Sequence, residues 1–267
     1  MTQPRMTVRF AAVTHPGLVR PDNEDACLAV PPVFLVADGM GGHEGGERAS
    51  GEVRRRFQES CAGEWLSGAE ITRIVRRAAD NIESLEHRGR PPGSTVAGVA
   101  LARYAGTPCW LVFNIGDSRV YLMRSGELRQ ISVDHSVGSH SGKGDRPRLT
   151  RALGAGLGSP VADQWLIRAR VGDRMLVCTD GLSNAVAREQ LAAAMVGDDD
   201  PQETVQRLLD EALAAGGRDN VSLAVVDCLE VIQVAGGELD DVMSLDESEE
   251  ETVSWNHDDT IPDPEGK

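Results

Sequence analysis

Apolar positions divide the chain into strand-like and helix-like stretches. Residues 6 to 13 and 26 to 38 are short apolar runs, the second containing Val33-Phe34-Leu35-Val36-Ala37 without interruption, and they read as buried strands. A glycine-rich loop, Gly39-Met40-Gly41-Gly42-His43-Glu44-Gly45-Gly46, then leads into a helix predicted near 47 to 60. In the next helix, about 68 to 87, Ile71, Ile74, Val75, Ala78, Ile82 and Leu85 recur at helical spacing and give one apolar face. The pattern returns to strands at 94 to 102, 109 to 115, 119 to 124 and 128 to 131, with Ser125-Gly126 as a hairpin turn. Strands at 163 to 171, 174 to 179 and 221 to 229 enclose helices near 187 to 196 and 201 to 215. Strands at both ends with paired helices between them predict an α+β fold of packed antiparallel sheets flanked by helices, not a parallel βαβ sheet.

After Val234 the pattern dissolves. Residues 236 to 267 combine Gly236-Gly237, runs of Asp and Glu, Pro262 and Pro264, with few apolar positions. The expected organisation is a single domain over 1 to 235 followed by a disordered acidic tail over 236 to 267. Charge follows the same division: of the formal net charge of −15, a net −11 falls between Glu238 and Lys267 and −4 on residues 1 to 237. This balance offers nothing to a nucleic-acid backbone. No apolar stretch has the length of a membrane span and no signal-like run opens the sequence, so a cytoplasmic protein is expected. The five cysteines are scattered without Cys-x-x-Cys spacing, which argues against disulfides and zinc knuckles.

Three aspartates share one local setting. Asp38 and Asp180 each follow an apolar run and precede a glycine, and Asp219 stands just before Val221-Ser222-Leu223-Ala224-Val225-Val226. Asp-Gly is among the commonest turn dipeptides, so a lone Asp-Gly reads first as a turn that ends a strand. Together they put carboxylates at strand ends, and oxygen ligands without a His and Cys cluster suit Mg²⁺ or Mn²⁺ better than Zn²⁺. Near the N-terminus, Arg20-Pro21-Asp22-Asn23-Glu24-Asp25 sets an arginine four residues before a paired Glu-Asp. A guanidinium fork suits two phosphate oxygens.

In order, the motifs are Arg20-x-x-x-Glu24-Asp25, Ala37-Asp38-Gly39-Met40-Gly41-Gly42, Gly93-Ser94-Thr95 and Asn114-Ile115-Gly116-Asp117-Ser118-Arg119. Asp134-His135-Ser136, Leu149-Thr150-Arg151-Ala152-Leu153-Gly154, Cys178-Thr179-Asp180-Gly181-Leu182 and Gly217-Arg218-Asp219-Asn220-Val221-Ser222 follow. From about Val8 to Asp227 this series resembles the metal-dependent protein phosphatases (PPM, type 2C), most closely the bacterial members. The resemblance implies a central β-sandwich flanked by pairs of helices. It also implies two Mn²⁺ or Mg²⁺ ions per chain, with a third, weaker site, and hydrolysis of phosphoserine and phosphothreonine in proteins. It assigns Asp38 to bridge both metals, the Gly39 carbonyl to one of them and Asp180 and Asp219 to the other. It further assigns Glu24 to metal-held water, Arg20 to the phosphate, and Asp117, with Asp180, to the third metal. Catalytic roles thus fall on Arg20, Glu24 and Asp38. The partners implied are phosphorylated proteins, a Ser/Thr kinase and its substrates, with a monomer expected.

Two departures matter. Many eukaryotic members carry a histidine where Met40 stands, and His43 lies three residues later, so a metal-held water is the alternative proton donor to the leaving group. Second, Val137 to Arg148 is about half the length of the flap usual in bacterial members. It reads as a flexible loop in which Lys143, Arg146 and Arg148 offer a basic rim or a solvated turn. In the tail, Thr252 and Thr260 lie among acids, and Asp263, three residues beyond Thr260, fits a site for a forkhead-associated domain. The rival readings are a phosphoprotein-binding module without turnover and a phosphatase acting on an anti-sigma-factor antagonist. Retention of Asp38, Asp180 and Asp219 favours the enzyme.

Overall fold

The computed structural model describes residues 3–42, 44–87, 89–138, 148–157, 161–197, 199–233, 242–245 and 253–254. The chain begins with β1 (Arg5–His15), β2 (Asp25–Val30) and β3 (Val33–Met40), followed by helices α1 (Glu44–Glu59) and α2 (Gly68–Glu83). Five strands come next: β4 (Gly93–Ser94), β5 (Val96–Tyr104), β6 (Thr107–Ile115), β7 (Arg119–Arg124) and β8 (Glu127–Gln130). Short β9 (Ser136–Val137), β10 (Arg148–Leu149) and β11 (Leu153–Gly154) precede β12 (Asp163–Arg168) and β13 (Arg174–Cys178). Helices α3 (Asp180–Ser183), α4 (Arg188–Met195) and α5 (Pro201–Ala214) lead to β14 (Val221–Ile232), β15 (Val242–Leu245) and β16 (Val253–Ser254).

Two antiparallel sheets pack face to face. One has the order β1-β14-β13-β7-β8, and the other β11-β4-β3-β5-β6-β12-β15-β16 with β2 paired to β3. Phe34, Val36, Val99, Trp110, Val112, Val120, Met175, Val177 and Val226 fill the space between them. On the outer face of the second sheet, Leu35, Leu111 and Phe113 meet Val53, Phe57, Ile71 and Ile82 of α1 and α2. On the outer face of the first, Leu176, Leu223 and Val225 meet Leu182, Leu191, Val205 and Leu208 of α3 to α5. Central strands are therefore covered on both sides, which is why Val33 to Ala37 is apolar without alternation and wholly buried. The predicted α+β sandwich with flanking helices is the architecture observed.

Local chemistry fixes the boundaries. Ser67 caps α2 in a reciprocal box with Glu70, and Asp200 caps α5 ahead of Pro201 at the first turn. The Ser125-Gly126 turn carries φ values of 53° and 83°, as a tight two-residue hairpin requires. Two differences from the sequence reading stand out. The ends of the shortened flap pair as β9 and β10, so at least its base is a two-stranded ladder; Lys143 and Arg146 lie outside the described residues, while Arg148 is exposed in β10. Within the stretch read as tail, β15 pairs with β12, Leu166 opposite Met243, and β16 pairs with β15. Thr252, Thr260 and Asp263 lie outside the described residues, as does His43. Among the described residues no helix is long and apolar enough to cross a membrane.

Candidate metal centre

Sheet register assembles the site. In the β2–β3 ladder Asp25 stands directly opposite Asp38, so two carboxylates face each other across neighbouring strands. In the other sheet, Thr179 and Asp180 follow the end of β13, and Asp219 and Asn220 precede β14. Cys178 pairs with Leu223, and the Thr179 amide donates to the Ser222 carbonyl at 2.9 Å. Asp117 sits in the connection that carries the chain from β6 in one sheet to β7 in the other. Five carboxylates from distant parts of the chain thus reach one end of the sandwich.

Their electrostatics report the crowding. Asp38 holds its proton well above the usual carboxylate range, first because burial disfavours its charge and then because Asp25, Asp180, Asp117 and Asp219 repel it. Burial, with Asp180 and Asp219, also pushes Asp25 up to about 7, against opposing hydrogen bonds from Ser222 and Thr179. Asp117 rises to about 6, chiefly by burial and then by the charge of Asp180. Arg20 answers at the mouth. Its Nη2 donates to Asp219 Oδ2 at 2.8 Å, and this bond heads the causes that raise its pKa.

Polar side chains hold the acids in place. The Thr95 Oγ1 accepts from the Asp38 amide at 3.0 Å and lies 2.7 Å from Ser118 Oγ, which ties the end of β3 to the Asp117 turn. Thr179 Oγ1 donates to Asp25 Oδ2 at 2.9 Å. Asn220 fastens the arginine loop: its Oδ1 accepts from the Glu24 amide at 2.8 Å, and its Nδ2 donates to the carbonyls of Pro16 and Asp22, both at 2.9 Å. Gly39 must be glycine because a Cβ there would meet the carbonyl oxygens of Gly46 at 2.2 Å and Glu24 at 2.5 Å.

All seven residues singled out in the sequence, Arg20, Glu24, Asp38, Gly39, Asp117, Asp180 and Asp219, lie at or beside this end of the sandwich. Glu24 points differently from its neighbour: its Oε1 is buried against the start of α1, 2.7 Å from where a Cβ on Gly46 would be. Asp25, not Glu24, stands opposite Asp38. The sequence reading paired Asp25 with Glu24 as carboxylates able to hold metal-bound water but gave Asp25 no role of its own, and it passed over Thr179 and Asn220 as working parts of the site. For Asp25 a signal existed, since strand alternation lets only one of two adjacent residues share the face of Asp38.

Among the described residues no three Asp, Glu, His or Cys side chains stand ready-made around one point as a metal cage. The donor set nevertheless fits hard divalent cations, because it is all oxygen and positive charge beside Asp25, Asp38 and Asp117 would offset the burial and mutual repulsion that raise their proton affinities. A test follows from the sign. Folded Asp25 keeps its proton up to about pH 7, whereas an ordinary aspartate releases it near 3.8. Its contribution to the stability of the metal-free protein is therefore full at the acid end and lost as pH rises towards 7. Asp25→Asn should raise the metal-free Tm at pH 7.5 by the equivalent of roughly 1 kcal/mol or more and flatten its pH dependence. A Tm that falls, or an unchanged pH profile in thermal scans with chelator, would contradict this origin.

Comparisons with known proteins agree with the geometry. Residues 17–215 match the family model described as Protein phosphatase 2C. The serine/threonine protein phosphatase PstP of Mycobacterium tuberculosis strain H37Rv is 34% identical over 251 residues, covering 86% of this chain and 47% of PstP. This chain therefore spans about half the length of that relative. The serine/threonine phosphatase stp of Listeria welshimeri is 28% identical over 80% of this chain and 93% of its own. Among solved structures, the catalytic domain of PstP in complex with 2 manganese ions superposes with a TM-score of 0.74 at 32% identity, covering 85% of this chain and 100% of that one.

Proposed function

The chain belongs to the protein phosphatase 2C family, and on that premise we propose that it hydrolyses phosphoserine and phosphothreonine in proteins, using two Mn²⁺ or Mg²⁺ ions. The observation that carries this reading is the convergence of Asp38, Asp25, Asp117, Asp180 and Asp219, each raising or feeling the charge of the others, with Arg20 at the mouth. When bound, two such ions supply an activated water and offset charge on the phosphoryl oxygens.

The chain's own residues do the rest. Asp38, from one sheet, and Asp180 and Asp219, from the other, are the carboxylates that would hold the ions between the sheets, with the Gly39 carbonyl beside them. Asp117 would serve a third, weaker ion. Glu24 and Asp25 lie next to this set and would hold water in it. Arg20 carries five N–H donors, one nitrogen of which already rests on Asp219, and its planar fork aligns the phosphate for displacement. Met40 has no proton to give the leaving oxygen. A cysteine nucleophile is disfavoured on physical grounds: burial pushes Cys27, Cys178 and Cys228 up to about 12 and Cys109 up to about 11, so none is a thiolate near neutral pH.

The substrates on this reading are proteins phosphorylated by a Ser/Thr kinase in the cytoplasm, and phosphorylation of Thr252 or Thr260 would offer a forkhead-associated domain a docking point. Phosphopeptide hydrolysis measured with Mn²⁺, with Mg²⁺ and with excess chelator tests the core of it. Chelation should reduce turnover to background, and metal-independent hydrolysis would overturn the reading. Arg20→Ala should lower kcat/KM about a hundredfold through loss of phosphate alignment. Rescue by Arg20→Lys should be poor, because a point charge lacks the fork; full rescue would remove alignment as the role of Arg20.

A further inference from the structure

The loop that carries Arg20 also holds two aliphatic side chains in solvent. Leu18 is 64% exposed and Val19 66% exposed. Looseness does not explain them, because the loop is anchored along its length. The Leu18 amide donates to the Gly217 carbonyl at 2.7 Å, the Gly17 amide to His15 Nδ1 at 2.9 Å, and Asn220 Nδ2 holds the carbonyls of Pro16 and Asp22. The base of Leu18 has a prepared seat. A Cβ on Gly217, whose φ is +49°, would lie 2.9 Å from Leu18 Cγ and 3.1 Å from Leu213 Cδ2, so the glycine leaves room for Leu18 to rest there.

Scattered single valines and leucines on a surface are ordinary. Here two adjacent ones immediately precede the arginine of the phosphate site, in an anchored segment, beside the cluster of carboxylates. Extended peptide advances about 3.3 Å per residue. With its phosphate at Arg20, a substrate chain brings the neighbouring side chain within reach of Leu18 and Val19. An apolar neighbour there finds exposed apolar surface. We propose that Leu18 and Val19 form a subsite for an apolar residue adjoining the phosphorylated serine or threonine of a protein substrate. The inference rests on the phosphatase reading and adds a preference to it.

The test uses the full chain with Mn²⁺ and two phosphothreonine peptides alike except that leucine or glycine adjoins the phosphothreonine on both sides. The expected kcat/KM for the leucine peptide is about tenfold higher, the range one apolar contact gives, and carried by KM. In Leu18→Ser/Val19→Ser the ratio should fall to about one, and Leu18→Met/Val19→Ile should restore most of it. Because Leu18 also seats the loop, Val19→Ser alone is the second variant, with a partial fall in the ratio. Equal hydrolysis of both peptides by the parent protein, or a ratio that survives in the serine variants, overturns the subsite. An aryl phosphate assayed in parallel separates the two levels: its hydrolysis without peptide discrimination removes the subsite alone, and its failure with Mn²⁺ removes the phosphatase reading and the subsite with it.

Discussion

Asp38→Asn is expected to lower kcat on a phosphopeptide about a thousandfold at saturating Mn²⁺, a loss of about 4 kcal/mol of transition-state stabilisation. The side chain keeps its size, and the backbone bonds that fix its position are untouched: the Asp38 amide still meets Thr95 Oγ1 and its carbonyl still accepts from the Thr95 amide at 2.9 Å. What disappears is the negative charge at the meeting point of two sheets, the charge that Asp25, Asp180, Asp117 and Asp219 all oppose in the metal-free protein. The variant should therefore be more stable than the parent without metal at neutral pH, and gain less from added Mn²⁺. Lost activity with a raised metal-free Tm separates a ligand from a structural residue. Steady-state assays, calorimetric Mn²⁺ titration and thermal scans would measure the three quantities, and turnover within tenfold of the parent would end the assignment.

The largest effect on stability is expected far from this chemistry, at Asp227. Its carboxylate accepts Arg174 Nε at 2.6 Å, Arg174 Nη2 at 2.9 Å and Arg9 Nε at 2.8 Å, while the Arg174 side chain is only 4% exposed. Asp227→Ala leaves that guanidinium buried opposite a methyl group and should destabilise the fold by about 3–5 kcal/mol. Arg174→Met/Asp227→Leu removes both charges and should recover most of the loss, because a buried ion pair contributes little beyond its apolar equivalent. Urea unfolding of the single and double variants checks this, and a double variant as unstable as Asp227→Ala would refute it. Arg174 pairs with Asp227 four residues from Cys178 opposite Leu223, where β13 ends at the site. Turnover per folded molecule should hold steady in both variants.

The contrast shows where sequence carries information and where it does not. Asp38 and Asp180 were legible because a strand buried on both faces is apolar without a break, so the first charged residue marks its end at the edge of the core. Asp25 stood inside a motif, paired with Glu24, and still received no role of its own, because its place depends on register with a strand eight or more residues later. Thr179 meets Asp25 across 154 residues of chain, and Asn220 holds Asp22 across 198, separations at which no local pattern speaks. The short β15 was missed for a different reason. Four residues, Val242 to Leu245, cannot establish a period among so many acids, and what makes them a strand is the open edge of β12. Overlooking the pairing of β9 with β10 has the same origin, since two-residue strands exist only by virtue of their partners.

The place of β14 in its sheet has a consequence for how the protein comes into being. β14 lies between β1 and β13, pairing His15 with Val221 at one end and Arg5 with Ile232 at the other. Ribosomes deliver Asp38 early, but β14, with Asp219 and Asn220 just ahead of it, emerges about ten to forty seconds later at ordinary rates of synthesis. Until then β1 has no strand to pair with in its sheet, and the Arg20 loop lacks the side chain that fastens it. Closure joins segments more than 200 residues apart, the kind of contact that makes folding slow. A nascent chain accordingly lacks the assembled cluster of carboxylates, which is completed only with insertion of β14.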